Sequence, residues 1–247
     1  MAQPLHVFHD PPLDGPTNMA RDQHLLHAAD LRSAALRLYA WDPPTISLGY
    51  FQRCADLDQL PDDVRELAVV RRQTGGGAIL HDREITYCLV VDDSLDIARQ
   101  APAALYNLVH GAWRDALGED VPGVEVAPQT LPFPSPRTGP FFCFQKPGQT
   151  DLILGPDKIL GSAQRRTPGR VLQHGSLLLA RRFDAHPGGH LGGPSPETLA
   201  RWTAAFVAVL ATRLELEPQP ATWSPDRLAD VATRRETFSS AEWTRRR

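Results

Sequence analysis

The chain reads as an α+β protein, with helices packed around mixed, largely antiparallel strands, and three observations lead there. Apolar residues recur at helical spacing in two long stretches, Leu105 to Ala116 and Leu199 to Leu214. Between those stretches, three strand-like runs follow one another across short turn signals, as an antiparallel meander does. Strands and helices do not alternate regularly, which argues against a doubly wound parallel sheet.

Taken in order, Thr17 or Asn18 is positioned to cap a first helix running to about Asp30, with Met19, Leu25 and Leu26 among its apolar positions. Leu36 to Trp41 alternates as a half-buried strand, and Pro43-Pro44 ends it. Another strand ends at Val70-Arg71-Arg72, and Ile85 to Val91 is a further β-rich run. Ser94 or Asp96 starts a helix to about Leu117, with Leu105, Leu108, Val109, Ala112, Trp113 and Ala116 on one face. Pro122 to Gly148 is rich in proline and aromatic residues and reads as a long ordered loop. The meander strands are Asp151 to Leu154, Lys158 to Arg166 and Arg170 to Ala180, joined at Gly155-Pro156-Asp157 and Thr167-Pro168-Gly169. A second loop covers His186 to Pro194. Leu199, Trp202, Phe206, Val209, Leu210 and Leu214 then mark an amphipathic helix, and a short one follows Ser224.

Bulk properties exclude several classes. The 247 residues, read as one catalytic domain over 1–247, carry a formal net charge of −3, without the basic excess of a nucleic-acid surface. No stretch approaches the roughly 20 apolar residues of a membrane span. Met1 to Asp10 lacks the regions of a signal peptide. Three scattered cysteines, Cys54, Cys88 and Cys143, suggest neither a disulfide framework nor a CxxC metal pair, so a reducing cytoplasm is expected. His186 and His190 lie in a Pro/Gly loop without a third ligand, and no metal site is expected. Of 26 basic residues only Lys146 and Lys158 are lysine, and they flank Cys143. Lysine kept in so arginine-biased a chain points to a compact ammonium with a task a guanidinium cannot perform.

The most distinctive segment is Arg71-Arg72-Gln73-Thr74-Gly75-Gly76-Gly77-Ala78-Ile79-Leu80-His81-Asp82. Three adjacent glycines are entropically costly unless backbone must approach something closely. Bare amides there suit an oxyanion, whereas a bulge or tight turn is the plainer explanation. The spacing fits neither a dinucleotide fingerprint nor a P-loop.

That segment, continued by Glu84-Ile85-Thr86-Tyr87, resembles the signature of the lipoate–protein ligase and octanoyltransferase family. The pair Asp157-Lys158-Ile159-Leu160-Gly161-Ser162-Ala163-Gln164 and Gln173-His174-Gly175-Ser176-Leu177-Leu178 is similar to its second signature. Weaker likeness reaches Asn18-Met19-Ala20, Ile46 to Tyr50 with Gln52, and Glu242-Trp243 near the end. The resemblance implies an α+β fold similar to the class II synthetase and biotin-ligase core. It also implies a substrate site from Arg72, Gly75, Gly76, Gly77, Ala78, His81, Gly161, Ser162, Ala163, His174 and Gly175.

Two chemistries occur in the family. Transferases move octanoyl from acyl carrier protein through a cysteine thioester, without ATP; ligases activate free lipoate with ATP and magnesium as an adenylate. Both end on a lysine of a lipoyl-domain acceptor, such as glycine cleavage H protein or 2-oxoacid dehydrogenase E2. Cys143-Phe144 followed by Lys158 resembles the cysteine transferases, which implies Cys143 as nucleophile and Lys158 as its partner. A nearby ammonium can lower a thiol pKa from about 8.5 toward neutrality. Position 77 is Gly, as in the ligases, where many cysteine transferases have Arg. ATP-dependent ligation, and exchange between two lipoyl domains, therefore stand as alternatives. His81 or His174 is a candidate general base. Phe133, Phe141, Phe142 and Phe144 are candidates to wall an acyl tunnel, with core packing the plainer role.

Overall fold

A computed structural model describes residues 3–131 and 139–247. The chain starts with β1 (Gln3–His9), α1 (Gly15–His27), β2 (Ala34–Tyr39) and β3 (Thr45–Leu48). It continues through α2 (Asp62–Arg65), β4 (Ala68–Arg71), β5 (Ile79–His81), β6 (Glu84–Asp92), α3 (Asp96–Arg99) and α4 (Pro102–Leu117). Next come β7 (Val124–Val126), β8 (Leu152–Leu154), β9 (Asp157–Thr167), β10 (Arg170–Leu178) and α5 (Pro196–Leu214). Last are β11 (Leu216–Pro220), α6 (Pro225–Ser239) and α7 (Ala241–Thr244).

Eight strands form one sheet in the order β11-β1-β2-β6-β10-β9-β8-β7, antiparallel except for the pairs of β1 with β11 and β2. Because strand side chains alternate between faces, β2 and β6 supply two cores at once. Leu36, Leu38, Leu89 and Val91 face α4 and α5, where Trp113 stacks on Phe206 at 3.9 Å. Ala35, Tyr39, Cys88 and Val90 face α1 and α6, among Met19, Leu25, Val231 and Phe238. Both faces are covered, so β6 is apolar almost throughout. The fold class is the α+β arrangement expected.

A smaller sheet, β4-β3-β5, packs a third cluster around Ile46, Leu48, Leu80 and Phe142. It presents the glycine segment, which lies between β4 and β5, toward the residues around Cys143.

Several boundaries differ from expectation. Helix α1 starts earlier, because Asp14 accepts from the Thr17 amide at 2.8 Å and Pro16 fits the first turn. The helix expected from Ser94 is two helices, since Ala101 precedes Pro102 and the residue before proline disfavours helical backbone. The helix after Ser224 runs for 15 residues rather than a few. Within the expected loop, Val124–Val126 pairs with β8, and Phe133 lies outside the described residues. Among the described residues no helix is long and apolar enough to cross a membrane.

Candidate active site

Lys158, at the start of β9, is 1% exposed, and its ammonium donates to the Cys143 sulfur at 3.3 Å. The same Nζ is held by Asp151 Oδ2 at 2.8 Å. Asp151 Oδ2 in turn accepts from the Gly148 amide at 2.8 Å. The Phe144 ring lies 5.1 Å from the ammonium and closes another side. Burial alone would push the lysine pKa down, but the Cys143 sulfur and the Asp151 carboxylate outweigh it and raise it above the ordinary value. Lys158 is thus a fixed cation against the thiol, with Asp151 setting its position. Lys146 is exposed, so only one of the two lysines belongs here.

The glycine signature meets this pair across two backbone bonds. The Cys143 amide donates to Ala78 O at 2.8 Å, and the Ala78 amide donates to Phe141 O at 2.7 Å. A Cβ on Gly77 would stand 3.0 Å from the Cys143 nitrogen and 2.9 Å from Phe141 O, so glycine permits the approach. Gly76 has φ +93°, in the left-handed region that favours glycine. Among the described residues, the amides of Gly75, Gly76 and Gly77 donate to no acceptor.

Arg72 lines a pocket beside the loop and also braces the loop itself. Its guanidinium is buried and donates to Gly75 O and Gly77 O, both at 2.7 Å, and to Ser47 O at 2.9 Å. Among the described residues no carboxylate pairs with it, and burial lowers its pKa to about 10. It clamps the carbonyls of the loop inward.

The second signature is a packing solution around the same lysine. A Cβ on Gly161 would lie 2.1 Å from Lys158 Cε, and one on Gly175 would lie 2.1 Å from Ser162 Oγ. Ser162 belongs to a buried chain of hydrogen bonds. His110 Nδ1 donates to Thr150 O at 2.5 Å, so its Nε2 accepts from Ser162 Oγ at 2.7 Å. Ser162 then accepts from Tyr87 at 2.6 Å, and Tyr87 from Gln173 at 2.7 Å. Thr150, at φ +72°, is the residue beside Asp151. The chain therefore ends next to the carboxylate that holds Lys158.

A narrow, nearly filled pocket of about 20 Å³ lies beside the loop, with Trp41, Arg72, His81, Ala163 and His174 among its walls. His81 stacks on Trp41 at 3.8 Å and bonds to Glu84 and Ser47, each at 2.7 Å. Burial lowers its pKa and keeps the imidazole neutral, against the pull of Glu84. His174 donates to Asp22 at 2.9 Å and accepts from Thr74 at 2.7 Å. Phe142 and Phe144 are buried outside this pocket, and Phe141 packs on Phe142 at 4.8 Å. His186 donates to Leu80 O at 2.7 Å, and His190 is exposed.

Asp151, His110, Asp22 and Ser47 were not singled out in the sequence. Asp151 had one signal, its position seven residues before an isolated lysine; the others carried none. Cys88 is fully buried, and burial followed by the Asp22 carboxylate raises its pKa well above the usual thiol value. It is an inert thiol.

Residues 14–188 match the family described as the lipoyl protein ligase A/B catalytic domain. The chain belongs to this family. Among its relatives, an octanoyltransferase LipM of Kyrpidia tusciae is 39% identical over 173 residues, covering 66% of this chain and 61% of the relative. An octanoyltransferase LipM of Moorella thermoacetica is 41% identical over 175 residues, covering 68% and 62%. The chain thus spans about six tenths of the length of these relatives. In three dimensions it superposes on a lipoate-protein ligase A bound with ATP at TM-score 0.75 and 19% identity, covering 99% of both chains. That likeness speaks for the fold. The cysteine–lysine pair, both glycine signatures and the pocket all lie within the matched segment.

Proposed function

We propose that the chain is an acyltransferase that moves octanoyl or lipoyl from acyl carrier protein to a lysine of a lipoyl-domain acceptor, through a thioester on Cys143. One observation carries this reading: the buried Lys158 ammonium, pinned by Asp151, donates to the Cys143 sulfur. A cation so placed stabilises thiolate.

In the first step the Cys143 sulfur attacks the donor thioester carbonyl. A carbon–sulfur bond forms, charge develops on the carbonyl oxygen, and the carrier's carbon–sulfur bond breaks as the carbonyl re-forms, the carrier sulfur leaving as thiolate and taking its proton from solvent. The free Gly75, Gly76 and Gly77 amides are suited to receive that charge, and the Lys158 ammonium neutralises the sulfur before and after attack. The acyl tail is directed to the narrow pocket walled by neutral His81 and Trp41, whose side chains must move apart to admit it. In the second step the neutral amine of the acceptor lysine attacks the acyl-cysteine, the carbon–sulfur bond breaks as the amide forms, Cys143 leaves as thiolate, and the proton lost by the amine passes to solvent. Exchange of one thioester for another is nearly isoenergetic, and amide formation draws the sequence forward, so no ATP is consumed. Residues 1–247 act as one catalytic unit in this reading; β11 closing on β1 and α6 packing on α1 support it.

The test is an acceptor assay with octanoyl carrier protein, with and without ATP and magnesium, in wild type and Cys143→Ser. Acceptor octanoylation without ATP, lost in Cys143→Ser, is the expected result. Transfer from free octanoate or lipoate that requires ATP and survives Cys143→Ser would replace this reading with ligation.

A further inference from the structure

Surface arginines are paired over much of the molecule: Arg182 with Asp82, Arg201 with Asp120, Arg227 with Asp30, Arg235 with Asp14. One group differs. Arg165 on β9 and Arg245, Arg246 and Arg247 after α7 are exposed, and none pairs with a carboxylate among the described residues. Arg165, Arg246 and Arg247 converge on an aromatic floor. Arg246 Cζ lies 4.0 Å from the Tyr50 ring centre and 4.6 Å from that of Trp243. Arg165 approaches Tyr50 at 5.9 Å, and Arg247 approaches Phe51 at 5.4 Å. Phe51 is 50% exposed, unusual for a large apolar side chain in this chain. The Tyr50 hydroxyl is held below the usual tyrosine range, first by its hydrogen bond from Arg246, with the charges of Arg246, Arg165 and Arg247 adding to it. A protein of net charge −3 thus concentrates unmatched positive charge on one face.

This face is rigidly joined to the reacting thiol. Buried Arg71 donates to Thr244 O at 3.0 Å, to Gly49 O at 2.9 Å and to Gln52 O at 2.8 Å, tying α7 to the Tyr50–Phe51 turn. Gln52 donates to Phe141 O at 2.9 Å, two residues before Cys143. Phe51 lies 3.9 Å from where a Gly75 Cβ would stand. The patch therefore borders the glycine loop beside the site.

We propose that this arginine–aromatic face docks the acyl donor, an acidic carrier protein whose arm bears a phosphodiester ahead of its thioester. The inference rests on the acyltransferase reading above. Guanidinium forks match carboxylate and phosphate geometry, and rings beneath them limit the freedom lost on binding. The acceptor fits this face less well, because its nucleophile is a lysine that arrives as a cation and three arginines repel it. Unpaired charge of one sign also speeds encounter with an oppositely charged partner at low salt.

The experiment compares wild type with R165Q/R246Q/R247Q. Acylation of Cys143 is followed from octanoyl carrier protein and from octanoyl-N-acetylcysteamine, which lacks both the acidic protein and the phosphate. The variant is expected to raise the KM for the carrier donor at least tenfold and to flatten its salt dependence. Acylation from the small thioester should stay within twofold. Equal losses with both donors, an unchanged carrier KM, or slowing confined to deacylation by a lipoyl-domain acceptor would each overturn the assignment. Wild-type loading from the small thioester but not from the carrier would also overturn it and leave the Cys143 chemistry standing. Loading from neither would remove the acyltransferase reading and the docking face together.

Discussion

Gly161 and Lys158 compete for the same space: a Cβ on Gly161 would stand 2.1 Å from Lys158 Cε and 2.4 Å from Nζ. The glycine is therefore part of how the ammonium reaches Cys143. Gly161→Ala should fold, because only the flexible end of Lys158 has to move, while the ammonium leaves the sulfur. Cys143 acylation is expected to fall more than tenfold, about 1.4 kcal/mol of barrier, in a protein that still melts cooperatively. An unchanged acylation rate would detach Gly161 from the chemistry.

Lys158→Arg keeps the charge and changes its shape. The ammonium is enclosed by Asp151, Cys143 and Phe144, and a planar guanidinium does not fit that enclosure without displacing one of them. Transfer should drop more than tenfold while circular dichroism stays near wild type. Wild-type turnover in this variant would make Lys158 a structural cation only.

For the glycine loop, Gly77 is the informative position. Gly76→Val strains a residue at φ +93° and so lowers stability whatever the loop does. At Gly77 an added Cβ meets the backbone of Phe141 and Cys143, shifting the thiol relative to Lys158. Gly77→Ala is expected to slow acylation at least tenfold in a protein that still melts cooperatively. Full loading at wild-type rate would return these glycines to the role of a simple turn.

Much of this arrangement was legible before the fold, and the gaps have physical causes. The meander was visible because Gly155 and Gly169, both at positive φ, punctuate alternating strands. Cys143 and Lys158 stood out because lysine is so rare here. Strand β11, with Pro218 and Pro220 in five residues, reads as a non-strand, and it survives because it pairs only at the sheet edge. Asp22 and His110 lie on ordinary helix faces in α1 and α4. Asp22 meets Arg37, Tyr39 and His174, which are 15, 17 and 152 residues away, and the partners of His110 are 40 and 52 away, so no local pattern marks them. The motif marks Arg72 for the substrate site, and its guanidinium also bonds the loop carbonyls; a sequence cannot show which way a side chain turns.

Burial lowers the His110 pKa from 6.5 to about 4. The unfolded chain therefore holds the extra proton between those pH values, and stability falls as pH drops through that window. The full effect is about 3 kcal/mol. His110→Asn keeps a donor for Thr150 and does not titrate. Urea unfolding between pH 4 and 7 should show a pH slope smaller by one proton in that variant. Identical slopes would mean that His110 takes up its proton in the folded protein as readily as in the unfolded one.

The most direct test of the Cys143–Lys158 assignment is intact-mass analysis after incubation with octanoyl carrier protein in the absence of ATP, followed by peptide mapping. One added octanoyl group, mapped to Cys143 and removed by hydroxylamine, is the predicted result. Cys88 should remain unlabelled, as a buried thiol with a raised pKa requires. A label on Cys88, or no label while ATP with octanoate or lipoate supports transfer to the acceptor, would contradict the account.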